Sequence, residues 1–189
     1  MIQSTCNPDL SCVGECTEPA AVRPLVALLH QLFDLIATLS DADYTRKPVG
    51  VVESSIAGHV RHNLDHIEAL VRGLRGGEVC YDHRDRGTDI ERNRFAAMDA
   101  ILRLERQLTA FPWREVPPVV LLSALVAPDL PPVTTVTSPE RELAFVVSHT
   151  IHHNALIAVI VKLLGAKVPA DFGYAPATIA HQRSRLCVR

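Results

Sequence analysis

Residues 138–165 read SPERELAFVVSHTIHHNALIAVIVKLLG. A proline at the first position of a helix costs no hydrogen bond, so Ser138-Pro139 marks a start, and Gly165 marks a stop. The run between them, to Leu164, predicts one long helix. His149 and His153 are spaced i,i+4, about 40° apart around that helix. Val146, Ile157 and Ile160 flank the stripe, so both imidazoles are expected to face inward. His152 lies on its opposite shoulder.

Towards the N-terminus, Pro112, Pro117, Pro118, Pro128, Pro131 and Pro132 exclude a long helix over 112–138. Val119–Val126 and Val133–Thr137 are apolar and β-branched, which predicts a small hairpin or extended excursion. Three further helices are expected. The first runs from Ala20 to about Leu39. Ser40–Asp43 and Pro48–Gly50 then break the pattern. The second starts near Ser54-Ser55, whose hydroxyls can cap it, and stops at Gly76-Gly77. After a polar connection, Glu78–Gly87, the third opens at Thr88 with Glu91 three residues on, a capping-box pattern, and reaches about Ala110. Beyond the fourth helix, Pro169–Pro176 reads as extended and turn-rich. Four long helices with short connections and one insertion predict an all-α fold, a four-helix bundle. Residues 1–18 read as a flexible N-terminal tail, 19–180 as a single domain and 181–189 as a C-terminal tail.

With 189 residues, Lys+Arg 19 and Asp+Glu 21, the formal charge is −2. That argues against a nucleic-acid partner, which calls for a basic face. A hydrophobic share of 48% argues against wholesale disorder. The longest apolar stretch, Leu143–Leu164, is interrupted by three histidines, Ser148, Thr150, Asn154 and Lys162, so no membrane span is expected. Five cysteines, Cys6, Cys12, Cys16, Cys80 and Cys187, make no disulfide framework. The first three match no standard zinc spacing. The opening MIQSTCNPDLSCVGEC lacks the basic and apolar regions of a secretory signal. A cytoplasmic protein with reduced thiols is expected.

Six of the nine histidines fall in two short windows: His59, His62 and His66 on the second helix, and His149, His152 and His153 on the fourth. The first three share an arc of about 60°. Several buried imidazoles would be costly unpaired and would repel one another if protonated. Converging on one divalent cation resolves both problems. The i,i+4 pair supplies two ligands, and a facing helix supplies the third. Three nitrogens leave coordination positions open, as in a catalytic site. The plainer alternative is a set of hydrogen-bonded core histidines without a metal.

The chain resembles the DinB/YfiT-like superfamily from about residue 20 to 178. The resemblance is carried by SSIAGHVRHNLDHIEAL (54–70), YDHRDRGTDIE (81–91), RELAFVVSHTIHHNALI (141–157) and PADFGYAPATI (169–179). It implies an up-down-down-up four-helix bundle with one histidine ligand on the second helix and HxxxH on the fourth. The implied ligands are His62, His149 and His153, with His59 and His66 on the same face as His62. The tryptophan usual before Ser-Ile is Ser54 here, and the common H-R-G-Q continuation is His153-Asn154-Ala155-Leu156. Characterised relatives include a bacillithiol S-transferase and a mycothiol-dependent maleylpyruvate isomerase. The resemblance therefore implies a metal-dependent transferase using a thiol cosubstrate, or a hydrolase.

Such a site lowers the pKa of a bound water or thiol towards neutrality. Zinc, nickel or iron suits three imidazoles. His66 or His152 is expected as the catalytic group, a hydrogen-bonding partner or proton acceptor. Asp65 and Glu68 share the helix; Asp65 could orient a ligand imidazole or coordinate directly, and for each the plainer reading is a solvent-facing or salt-bridged acid. Arg84 and Arg86 read either as a hold on an anionic cosubstrate or as partners of Asp82, Asp85, Asp89 or Glu91. Cys80 beside His83 reads as incidental, and His30 and His181 as background. The competing functions are a non-catalytic, stress-response metal protein and a metal-free carrier or dimerising bundle. Expected partners are a small-molecule substrate and a second copy of the chain, with no nucleic acid and no membrane.

Overall fold

The helical periods of the sequence become helices, four of which begin on a serine or asparagine cap. A computed structural model describes residues 18–48, 50, 53–83 and 87–186. Helix α1 spans Val22–Thr38 and buries Val22, Leu25, Leu29, Leu32, Leu35 and Ile36, one stripe at i, i+3 and i+4 spacing. A short α2, Asp41–Thr45, follows in the segment read as a break. The Ser40 hydroxyl caps it by accepting from Asp43 N, and fully buried Tyr44 anchors it. Helix α3, Ile56–Gly76, starts where Ser55 accepts from Gly58 N and ends at Gly77, whose φ of 79° is left-handed. Helix α4 spans Arg94–Thr109, α5 spans Pro139–Leu163 and α6 spans Pro176–Leu186. Ser138 caps α5 through Arg141 N.

The described residues are mostly helical, with one small sheet. Helix α3 packs on α4 and α5, and α1 packs on the same two helices. Their apolar stripes form one core cluster that also takes in Val79, Phe111, Val120 and Phe172.

Four readings change. The fold is mostly helical, and its sheet has three strands where the sequence predicts a hairpin. Strands β2 (Val120–Ala124) and β3 (Val133–Thr137) make the expected hairpin, but β1 (Glu78–Cys80) adds in parallel to β2. Fully buried Val79 drives this: it packs against Gly73 of α3, where a Cβ would stand 2.6 Å from the Val79 Cα. Secondly, Thr88 does not open the third long helix. It precedes a 3-10 turn, Asp89–Glu91, and makes no side-chain cap bond; α4 starts six residues later with Asn93 accepting from Phe95 N. The capping box fails because Glu91 is used elsewhere, accepting from Arg61 Nε and Gly87 N. Thirdly, α6 runs through the boundary drawn at residue 180. Finally, α5 is by length and composition alone long and apolar enough to cross a membrane. In this fold Leu143, Val146, Ile157, Ile160 and Val161 bury its face in the core. Cys6, Cys12, Cys16, Arg84, Asp85, Arg86 and Cys187 lie outside the described residues, as does the N-terminal segment up to residue 17.

Candidate metal centre

Helices α3 and α5 pack together, and each carries three of the six clustered histidines. His62, His149 and His153 come closest to a common point. One nitrogen from each lies within 4.8 Å of the other two, and none of the three side chains is exposed. Their ring centroids are 4.9 Å (His62–His149), 4.4 Å (His62–His153) and 4.5 Å (His149–His153) apart. Three imidazole nitrogens at this separation are a donor set suited to one divalent cation.

The other three histidines differ from one another. His59 Nδ1 lies 3.0 Å from His153 Nδ1, so one ring donates and the other accepts. Burial, and then the neighbouring His152, push the His59 imidazole below its usual range, which keeps it neutral. His66 is buried, and its Nδ1 lies 2.9 Å from the His62 carbonyl. A carbonyl only accepts, so Nδ1 carries the proton and Nε2 the lone pair. The His66 ring stacks on His149 with centroids 3.9 Å apart. His152 is exposed and meets His153 edge-on at 5.2 Å.

A wall that the sequence reading did not single out continues the stack. Tyr81, just after β1, lies parallel to His66 at 5.2 Å. Its hydroxyl donates to Glu142 Oε2 at 2.8 Å. Glu142 is fully buried, and Thr137 Oγ1 and Arg141 Nη1 donate to its other oxygen, each at 2.7 Å. Burial first, then the Glu142 carboxylate, raise the Tyr81 phenol far above its usual range, so it stays protonated as a donor. A signal for Glu142 existed. Positions 142, 146, 149 and 153 share one face of α5, and a carboxylate in that stripe needs a buried donor.

The acids flanking the histidines hold the scaffold. Arg61 bridges Asp65 on α3 and Glu91 on the 3-10 turn. Glu68 is exposed. Asp82 accepts from Leu125 N and so ties the loop after β1 to the hairpin. Cys80 and His83 line one cleft of about 320 Å3 with Arg72 and Ser123, with no hydrogen bond joining the two among the described residues. His30 pairs with Glu105 of α4 at the surface, and His181 is exposed on α6.

Residues 25–183 match the DinB family. The chain belongs to the DinB family. The match spans both histidine-bearing helices, the sheet and most of α6. Among curated proteins, this DinB chain is similar to FK506-binding protein 5 of Rhizopus delemar, at 35% identity over 102 residues. That similarity covers 53% of the DinB chain and 26% of the Rhizopus protein, so the chain spans about a quarter of that relative's length. The family-like blocks converge in space. The 54–70 and 141–157 blocks carry the histidines, and the 81–91 block supplies Tyr81 and Glu91. The 169–179 block packs on α5, where a Cβ on Gly173 (φ 77°) would stand 2.7 Å from the Ala155 backbone.

Proposed function

We propose that His62, His149 and His153 hold a divalent metal ion and that the protein is a metal-dependent enzyme of the thiol-transferase or hydrolase type. The observation that carries this reading is the convergence of three imidazole nitrogens within 4.8 Å, in a member of the DinB family. The donor set fits the ion. Three neutral imidazoles suit zinc, nickel or iron, and His59 supplies His153 with the hydrogen-bonding partner that ligating histidines normally have.

A bound divalent ion would lower the pKa of a coordinated water or thiol towards neutrality and polarise an electrophile's oxygen. The chain's own groups complete the chemistry. His66 presents a lone pair at Nε2, because the His62 carbonyl holds the proton at Nδ1, and it is the proton acceptor of this reading. His152, exposed beside His153, passes protons to solvent. Tyr81 and Glu142 brace the His66 ring from behind. The closed cycle of contacts α1–α4–α3–α5 supports an up-down-down-up four-helix bundle as the frame. A cytoplasmic protein acting on a small molecule with a low-molecular-weight thiol, as a homodimer, completes the proposal.

Elemental analysis of the purified protein tests it. Wild type retains about one equivalent of metal, and His62→Ala and His153→Ala lose it while remaining helical by circular dichroism. Unchanged stoichiometry sinks the assignment. Thiol conjugation to a model electrophile, with and without chelator, then tests the activity.

One observation favours a second reading, a structural ion in a non-catalytic protein. His66 stacks at 3.9 Å on His149 and brings a fourth imidazole to the cluster. A closed site of four nitrogens would be structural. His66→Ala separates the two. Metal is lost from a closed site, whereas in the enzyme the metal is kept and turnover falls.

A further inference from the structure

Behind the histidines lies a pair of amides that the proposed chemistry does not use. Asn63 and Asn154 are both fully buried, and Asn63 Nδ2 donates to Asn154 Oδ1 at 3.1 Å across the α3–α5 interface. Asn63 directly follows His62, and Asn154 directly follows His153. The pair is poorly satisfied. Asn63 Oδ1 and Asn154 Nδ2 have no hydrogen-bond partner among the described residues, and neither has the hydroxyl of Thr150, one turn before Asn154. Buried polar atoms left in that state cost stability, and two leucines of the same shape would fill the space at less cost. Val60, Ile67 and Ile157, one turn away on the same helices, show that the surroundings are apolar.

We infer that the Asn63–Asn154 amide pair is a register pin that positions the metal centre by fixing α3 against α5. This rests on the metal reading above. Apolar contacts have no preferred direction, so an all-aliphatic interface between two helices tolerates sliding. A slip of one residue moves a helix by about 1.5 Å and turns each side chain by about 100°. A three-nitrogen site does not survive that, since functional sites need placement to about 0.5 Å. The directional bond between the amides removes the freedom to slide. On each helix it sits one position from a ligand, so rigid backbone carries the constraint to His62 and His153. A buried asparagine does the same in coiled coils, holding register at the expense of stability.

The test uses the full chain, stripped of metal and reloaded with zinc(II) or cobalt(II). The double variant Asn63→Leu/Asn154→Leu is expected to melt at or above wild type when metal-free. Its zinc affinity, measured by competition with a chromophoric chelator, is expected to fall about tenfold or more, and the visible absorption of the cobalt form to change. A merely structural pair would move stability and affinity in the same direction. Asn154→Asp keeps the acceptor for Asn63 Nδ2; it is expected to melt lower yet bind zinc within about threefold of wild type. A leucine pair that binds zinc as tightly as wild type overturns the pin. If that variant does not fold, the aspartate variant decides: retained affinity supports the pin, and a loss of about tenfold overturns it. Wild type that binds neither metal overturns the metal reading itself, and the pin with it.

Discussion

In the proposed metal site, His59 would take the place usually held by a carboxylate or backbone carbonyl at a ligating histidine. If His153 offers Nε2 to a metal, its Nδ1 donates to His59 Nδ1, and the His59 proton sits on Nε2. His59→Ala is therefore expected to weaken zinc binding by about 10–100-fold. His59→Gln, which restores an acceptor oxygen, should recover part of that loss in the same competition titration. Equal affinity in all three proteins would remove His59 from the site. Spacing alone does not reach this assignment. His59, His62 and His66 share one arc, so periodicity makes them interchangeable, and the 3.0 Å contact to a residue 94 positions away tells them apart. Glu142 was hidden for a related reason. A carboxylate near a helix start reads as a solvated, dipole-favoured acid; its place on the 146/149/153 face hints at burial, and the donors Tyr81 and Thr137 establish it.

The long helices were readable because their signals are local. Ser55, Ser138, Pro139 and Gly77 act within one turn, and the apolar stripes repeat at the helical period. The misread elements depend on distant partners. Strand β1 is three residues long, too short to show a period, and its pairing with β2 comes from about 40 positions further along the chain. Glu91 left its capping-box role for Arg61, 30 positions away. That diversion has a pH signature. Burial would raise the Glu91 carboxyl, but the Arg61 hydrogen bond and charge, with Gly87 N–H and Arg92, outweigh it and hold the carboxyl below its usual range. The unfolded chain then binds the proton more readily than the fold. The contribution is complete above about pH 4.3 and fades as pH falls through the lower folded value. Thermal melting of wild type should therefore show an acid limb, opening as pH falls below about 4.3, that Glu91→Gln flattens. Superimposable limbs would show that this contact does not hold the 3-10 turn against α3.

For the molecule as a whole, an ion held by two helices binds the folded chain and not the unfolded one. With free zinc at a hundredfold excess over Kd, the fold gains about 2.7 kcal/mol. For a domain of this size that raises the melting temperature by roughly 5–10 °C. Scanning calorimetry with zinc and with chelator measures the difference, and coincident transitions would show that no ion is held. The site also has a temporal consequence. Asn63 and Asn154 are 91 positions apart, so the histidine-bearing helices become neighbours only after a long loop has closed. Such pairing is slow, and an ion that waits for it contributes little on the way into the fold. Once seated, it holds the finished structure against departure. In this chain the proposed ion would act as a latch on the native state and set how long the protein lasts, while the pace at which it assembles is left to the chain alone.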